Sequence, residues 1–256
     1  MNNKLKQKED YDIVKGTELA AQNDLNRQAK EIALSNTNWG AAEELTAQDC
    51  TVSMIKQMQA LSVLVTEGVA SAGDWCDSTS GEVLAKKDEP LELFVIRSQK
   101  RIMVTKGFRG DKFKFSEYLE ATPKNLSLPW EEDLGTNGIV KRNLQWVYSC
   151  LLANKITEPP YILILMSTKL DAAKKLNTMM AKLHRLSRPS CSYAFEFRSF
   201  KDSRDKGNFW GVEVKQGRAA TLSEIQTARY WYDQAKIKPV EQSEAIEVNV
   251  VDDFNF

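Results

Sequence analysis

Short apolar segments that alternate in hydrophobicity, Gly- and Asp-containing turns between them, and one basic amphipathic helix among them predict a mainly β fold with α-helices. In chain order these elements are strand, strand, strand, helix, strand, strand. That order is the one expected of the OB barrel, a small five-stranded Greek-key barrel. We therefore expect an OB-like five-stranded barrel with an N-terminal extension, a long insertion and a C-terminal helix.

Changes in composition divide the chain into four parts. Residues 1–46 are polar and Ala-rich and predict an N-terminal arm or frayed helix. Residues 47–218 carry the alternating segments and predict the OB-like domain, with a Gly- and Pro-containing insertion at 106–140 beside the binding surface. A C-terminal helix is predicted over 219–238. The acidic segment 239–256 is too poor in packing residues to order itself.

The strands follow from the alternation of apolar and polar residues. The pieces 91–97 and 101–105 predict a hairpin that turns at Ser98-Gln99-Lys100. A strand is expected over 143–152, with Leu144, Trp146, Tyr148, Cys150 and Leu152 on one face and Gln145, Val147, Ser149 and Leu151 on the other. The run 161–166 is continuously apolar, which predicts a central strand buried on both faces. The last two strands are predicted from the segments 192–200 and 209–215.

Two helices follow from capping residues and apolar spacing. Thr168 and Asp171 have the spacing of a capping box, which predicts a helix from there to about Leu186. Its basic side chains fall mainly on the side away from the core. Thr221 or Ser223 is expected to begin the C-terminal helix, which continues to Lys236.

The charge of the chain is unevenly distributed. The total is zero, with 35 Lys and Arg against 35 Asp and Glu. The stretch 141–218 holds fifteen basic residues and six acidic ones, whereas residues 239–256 hold five acidic residues and no Lys or Arg. A basic body with an acidic tail indicates a nucleic acid or another acidic partner.

Aromatic residues are interleaved with the basic ones in the stretch 141–218, which is typical of surfaces that follow a phosphate backbone and stack bases. The candidates for base stacking are Trp146, Tyr148, Phe209 and Trp210. The candidates for phosphate contact are Lys169, Lys174, Lys175, Arg185, Arg198 and Lys215. For each residue a structural role stays open: an aromatic ring can be barrel core, and a lysine can lie on a solvated helix face, especially on a helix that plugs the end of the barrel.

Other classes of site are disfavoured by the sequence. The four cysteines are widely separated and there is one histidine, so we expect neither a zinc site nor another metal or cofactor. The cysteine usage fits a reducing cytosol. The first twelve residues are polar, and no apolar run approaches the roughly 20 residues that span a bilayer. We expect a cytoplasmic protein without a membrane partner, in the host cell if it is viral.

Several short motifs resemble a family of tailed-phage proteins that is associated with single-stranded DNA binding during phage replication. They cover roughly residues 50–236 and comprise PYILILMSTKLDAAKK at 160–175, Asp205-Lys206-Gly207 with a following aromatic, and MIKQMQALSVLVTEG…AGDW…GEVL at 54–84. The resemblance implies a protein, not an enzyme, that protects single-stranded DNA during replication and recombination with little sequence preference.

The C-terminus has a resemblance of its own. Its last residues, Asp252, Asp253, Phe254 and Phe256, resemble the tails of bacterial and phage single-stranded DNA-binding proteins, which are acidic and end in an aromatic residue. The resemblance implies that the tail recruits replication or recombination proteins and competes with DNA for the basic surface. Val248, Val250 and Val251 depart from the usual acidic composition.

Two other functions are left open by the sequence. Glu213-Val214-Lys215 resembles the acid-x-Lys core of metal-dependent nucleases, in which an upstream Asp and the Glu hold a Mg²⁺ that activates water. Asp202 or Asp205 would be that Asp, although it would lie in a tight turn only eight to eleven residues before Glu213, and no Pro precedes it. The third possibility is a phage structural or annealing protein without a defined site.

Overall fold

The computed structural model describes residues 53–204 and 207–237, in a mainly β fold with helices, as predicted. The predicted arm at 1–46, the tail at 239–256 and Asp205 lie outside the described residues. The strands are β1 Met54–Gln57, β2 Trp75–Asp77, β3 Val83–Ala85, β4 Leu91–Gly107, β5 Lys114–Glu120, β6 Glu131–Asp133, β7 Ile139–Leu152, β8 Tyr161–Met166, β9 Tyr193–Arg204 and β10 Gly207–Ala219.

The helices connect these strands. They are α1 Val63–Thr66, α2 Pro123–Leu126, α3 Leu170–Arg185 and α4 Leu222–Ile237, with short 3-10 turns at Gly135–Asn137, Ser167–Lys169 and Ser190–Ser192. The long helices α3 and α4 agree closely with the predicted ones. The capping box predicted for α3 is wrong, because the helix begins after a 3-10 turn and its N-cap, Lys169, makes no side-chain capping bond.

All ten strands form one curled sheet in the order β10-β9-β4-β7-β8-β1-β2-β3. The pairs are antiparallel except for β1 with β8, which is parallel. Strand β4 pairs with β9 through Leu91–Leu93 and with β7 along most of its length. Beyond these contacts β5 joins β4 and β6 joins β7. The four strands β5-β4-β7-β6 form a ribbon, which we call the extension.

Four sequence-based expectations about the strands are corrected by the structure. The predicted hairpin at 91–105 is one continuous strand, because the polar residues 98–100 pair with β7 instead of turning. The insertion at 106–140, for which no strand was predicted, contains β5 and β6. The sheet has ten described strands where five were predicted. Strand β8 is central as expected, but its residues alternate between buried and half-buried.

The concave face of the sheet holds the main core. Aromatic and aliphatic side chains from β4, β7, β8, β9 and β10 meet there, and α3 closes the cluster with Ala173, Leu176 and Leu183. A smaller cluster lies on the outer face, where α4 packs Ala228 against Phe94 and Leu151. Residues on alternate positions of one strand therefore serve two separate cores.

Side chains, not a backbone ladder, join the region of β1 to β10, the edge strand at one end of the sheet. Gln57 Nε2 donates to Ser199 Oγ and to the Gly211 carbonyl oxygen, each at 2.8 Å. The Gln59 amide accepts from the Trp210 N–H at 3.0 Å and donates to the Trp210 carbonyl at 3.2 Å. The two glutamines thus satisfy the backbone of β10 as a neighbouring strand would. We call this contact the seam.

Helix α4 begins with a reciprocal cap. Glu224 accepts from the Thr221 N–H at 2.7 Å, and the Glu224 N–H donates to Thr221 Oγ1 at 3.3 Å. Arg218 Nη2 donates to Glu224 Oε1 at 2.6 Å. This arrangement confirms Thr221 as the residue that starts the helix, and it is a capping box at positions where the sequence offered two candidates.

Substituting Gln57 by Ala should destabilise the fold by about 1–3 kcal/mol, because the buried Gly211 carbonyl would lose its donor. The measurement is the free energy of unfolding in urea. Gln99→Ala, which removes an exposed amide from β4, is the matched control and should stay within about 0.5 kcal/mol of wild type. Equal stability of the two variants would mean that the seam contributes little.

Acid should weaken the start of α4. The hydrogen bond from Arg218 is the main cause that lowers the pKa of Glu224 to about 2, from an ordinary value of 4.5. Because the folded pKa is the lower one, this stabilisation is complete above about pH 4.5 and is lost as the pH falls towards 2. Glu224→Gln should flatten the fall of the thermal midpoint in this window, and Glu67→Gln should leave it unchanged. An unaltered slope in Glu224→Gln would contradict this assignment.

Candidate nucleic-acid interface

Two of the predicted stacking residues lie on the core side of the sheet. Tyr148 has no exposed surface, and its hydroxyl donates to Asn177 Oδ1 at 3.0 Å. Burial raises the pKa of Tyr148 well above its ordinary value. Trp146 is half-buried and stacks on Tyr148 with ring centroids 6.2 Å apart, and Lys100 Nζ lies 5.9 Å from the Trp146 ring. Tyr148 is therefore core and cannot stack a base in this fold.

Trp210 and Phe209 have different surroundings. Trp210 is half-buried at the seam, where its ring lies so close to Gly73 that a Cβ there would stand 2.7 Å from it. Gly73 also has a φ of +97°, a conformation that favours glycine. Phe209 is half-buried and lines an open groove described below. Of the four predicted stacking residues, Phe209 lines this groove.

The opposite, outer face carries a row of polar and aromatic groups that the sequence reasoning did not select. The Arg101 guanidinium lies 3.6 Å above the ring centroid of Tyr118, and Tyr118 packs on Phe115 with centroids 4.7 Å apart. Arg101 Nε donates to Gln145 Oε1 at 3.1 Å. We call Phe115, Tyr118, Arg101 and Gln145 the outer platform. It crosses strands β5, β4 and β7.

Gln145 holds Arg101 from below. It is buried, and its amide nitrogen donates to the sulfur atoms of Met103 at 3.3 Å and Met166 at 3.2 Å. Both donors are thus directed at weak acceptors, which leaves the amide oxygen turned towards Arg101. The orientation of the guanidinium is fixed by Tyr118 on its face and by Gln145 at its Nε edge.

The charge of Arg101 is not neutralised by a carboxylate within residues 53–204 and 207–237. Burial lowers the pKa of Arg101 below its ordinary value, although a guanidinium stays protonated at neutral pH. The two terminal nitrogens have no hydrogen-bond partner among the described residues, and the side chain is half-buried. A held, unpaired guanidinium next to two aromatic rings suits a phosphate or a base.

The extension adds further aromatic and basic groups at its tip. Phe108 and Trp130 are 55% and 49% exposed, and Lys141 Nζ lies 4.4 Å from the Phe113 ring centroid. Arg109 pairs with Asp133 at 3.6 Å. These residues lie on the same ribbon as the outer platform. Their predicted position beside a binding surface is compatible with this arrangement.

Several predicted phosphate contacts are engaged in exposed ion pairs. Lys174 pairs with Asp171 at 3.1 Å, Lys215 with Glu213 at 3.1 Å, and Arg198 with Glu196 at 2.8 Å. Such pairs contribute little to stability, but they reduce the net positive charge that a phosphate would meet.

The other basic candidates lie along α3 and at its start. Lys169 is half-buried. Lys175 and Arg185 are exposed and form no ion pair within the described part of the chain. They lie ten residues apart on the helix, about 15 Å along its axis. The structure therefore does not bring all the predicted cations into one patch.

An open groove of about 460 Å³ lies between the start of α3 and the β9–β10 hairpin. Phe200 and Phe209 contribute aromatic rings, and Lys175 contributes a positive charge. Three carboxylates, from Asp171, Asp202 and Glu213, also line it. The remaining lining residues are Thr168, Ala172, Gly211 and Val212.

No group of three or more His, Cys, Asp or Glu side chains in the described ranges is arranged to hold a metal ion. The cysteines described, Cys76, Cys150 and Cys191, are free and buried, and burial raises the pKa of the Cys76 thiol to about 11. A thiol with so high a pKa is a poor nucleophile at neutral pH. None of the helices in these ranges has the length and apolar character needed to cross a membrane.

Comparison with known proteins gives one partial match. A family model described as Pam3 phage gp34-like protein matches residues 139–243, from the start of β7 through α4 and beyond. The match covers less than half of the chain and makes a phage protein plausible. No curated protein matches the chain, and no solved structure does.

Proposed function

We propose that this protein binds single-stranded DNA with little sequence preference, without catalysis, through the outer platform. The observation that carries the proposal is the Arg101 guanidinium. It is stacked 3.6 Å above Tyr118, is held at Nε by Gln145, and has no carboxylate partner within the described residues. An aromatic ring beside an available cation is the common element of surfaces that bind single strands by stacking and charge.

We further infer that the curled sheet is an OB-type barrel. Strands β4, β7 and β8, helix α3, and strands β9 and β10 follow one another in the order predicted from the sequence, with β4 joining the two halves. In OB folds the face of the second and third strands and the loop between the first and second bind oligonucleotides. These would correspond to β7, β8 and the part of the extension between β4 and β7, where the outer platform lies.

The biological role belongs to the same proposal. The protein would protect single-stranded DNA during phage replication and recombination, in the host cytoplasm, and the tail with Asp252, Asp253, Phe254 and Phe256 would recruit replication or recombination proteins. Support comes from the partial match to a phage family and from the acidic segment 239–256, which contains Phe254 and Phe256.

Deleting residues 241–256 should tighten DNA binding at low salt if the tail competes for the basic surface, because a segment rich in carboxylates would no longer occupy it. Fluorescence titration with oligo-dT at two salt concentrations measures this. The gain should fade at high salt, where charges are screened. Unchanged affinity at low salt would remove tail competition but not DNA binding.

Arg101→Ala should weaken binding of oligo-dT by roughly five- to a hundred-fold, the range that a lost stacking contact gives. It should also lower the slope of log affinity against log salt by about 0.7 if the guanidinium contacts one phosphate. Titrations at several salt concentrations give both quantities.

Two control variants separate the effect of the position of Arg101 from the effect of its charge. Arg185→Ala, which removes an exposed cation from the last turn of α3, should leave affinity nearly unchanged. Arg101→Lys keeps the charge but loses the planar stack, so it should keep the salt slope and lose part of the affinity. If Arg101→Ala binds like wild type while wild type binds tightly, the outer platform is not the interface.

The nuclease alternative has one observation in its favour, since Asp202 and Glu213 line the same groove. We expect no cleavage of labelled single- or double-stranded DNA with Mg²⁺ or Mn²⁺. Cleavage by the wild type that Glu213→Ala abolishes would establish the nuclease instead. Cleavage that persists in Glu213→Ala would indicate a contaminating enzyme.

A further inference from the structure

We infer that the groove between α3 and the β9–β10 hairpin is a subsite for one nucleobase that carries an exocyclic amino group. This groove is defined by Phe200, Phe209, Asp202, Glu213 and Lys175. The inference rests on the proposed binding of single-stranded DNA and adds a base preference to it. Cytosine, adenine and guanine would be favoured over thymine at this one position.

The floor of the groove is the Phe200 ring, which lies against Gly211. Phe200 is 45% exposed and lies directly over Gly211, its partner across the β9–β10 pair. A Cβ on residue 211 would collide with this ring. Because that position is a glycine, the ring can lie across the strand and present a face to solvent. An exposed face of this kind is what a base needs for stacking.

The size of the groove fits one base with its sugar rather than a longer segment. Its volume is about 460 Å³, and it is open on one side. Binding pockets for whole small molecules range from about 300 to 1,000 Å³, so this groove is near the lower limit. Phe209 borders the same space, so the bound base would have aromatic neighbours on two strands.

The charged side chains that line the groove determine which base it can bind. Asp171, Asp202 and Glu213 contribute carboxylates. Lys174 contacts Asp171 through Oδ1 and Lys215 contacts Glu213 through Oε2, so the second oxygen of each can still accept a hydrogen bond, and an ionised carboxylate cannot donate one. The amino group of cytosine is the donor that Asp and Glu recognise among bases. Thymine has a carbonyl oxygen in the same place, and that oxygen would face a carboxylate without a proton between them. The groove therefore opposes thymine and accepts an amino base.

A bound single strand could pass from the outer platform to the groove at the end of β8. Met166, which contacts Gln145, is separated by a single residue from Thr168, which lines the groove. Two residues span at most about 7 Å. Lys175 lies at the groove with no ion pair in the described part of the chain and offers a charge for the phosphate of the bound nucleotide. A single strand crossing β7 and β8 would meet the groove next.

The test compares two bases that differ mainly in the exocyclic group. Thymine and 5-methylcytosine share the ring and the methyl group, but one has a carbonyl oxygen where the other has an amino group. Anisotropy titrations use labelled oligo-dT and the same oligomer with 5-methylcytosine at every second position. We expect the substituted oligomer to bind on the order of ten-fold more tightly, the value of a hydrogen bond to a charged group.

Variants assign the preference to the groove. The double variant Asp202→Asn with Glu213→Gln should bring the ratio of the two affinities close to one, whatever happens to the absolute affinity. The double variant Asp88→Asn with Glu67→Gln removes two exposed carboxylates elsewhere and should keep the ratio. Phe200→Ala should weaken both oligomers by at least about five-fold. Phe200→Leu keeps an apolar side chain without a π-face and should not restore the loss.

Each outcome is distinguishable from failure of the proposed function. If neither oligomer binds, single-stranded DNA binding itself is wrong and the subsite goes with it. If both bind equally well, the base preference is wrong and the proposed function stands. If the preference persists in the double variant at Asp202 and Glu213, the amino group is recognised elsewhere and the groove is not the subsite.

Discussion

The contact on which the rest of the fold depends is the seam between β1 and β10. Two glutamine side chains, Gln57 and Gln59, satisfy the backbone of Trp210 and Gly211 in place of a paired strand. This links the edge strand β10 to β1, which lies five positions away in the order of the sheet. Gly211 has a second role there, because its missing side chain leaves room for the Phe200 ring. One position thus contributes both to the architecture and to the groove.

The curl of the sheet also explains which features of the fold could be predicted from the sequence. Alternation correctly divided the residues of β7 into two faces, with Trp146, Tyr148 and Cys150 on one and Gln145 and Val147 on the other. Alternation cannot say which face becomes the interior, because that depends on the direction in which the sheet bends. The aromatic face turned inwards, and the face with Gln145 turned outwards. The helices were predicted well because their capping and periodicity are local.

Other differences have equally physical reasons. The run 98–100 has the polar composition of a turn, yet it lies within β4 because β7 provides a full set of pairing partners. The number of basic residues overstated the available charge, since acids two residues away on the same strand face neutralise Lys215 and Arg198. Arg101, by contrast, gained importance only through Tyr118 and Gln145, which lie 17 and 44 residues away. Such long-range neighbours cannot be read from one sequence.

The pairing of β4 with β7 has a mechanical consequence. The same two strands form the wall beside Leu93 and Cys150 and, further along, the middle of the extension beside Lys106 and Val140. The ladder of backbone hydrogen bonds runs from one part to the other, with a bulge between Val95 and Arg97. A force applied at the tip would therefore twist the strands that carry the core. The extension is thus continuous with the wall of the curled sheet, and a load on its tip that strains the ladder would be observed as faster exchange of the amide hydrogens of β4 and β7.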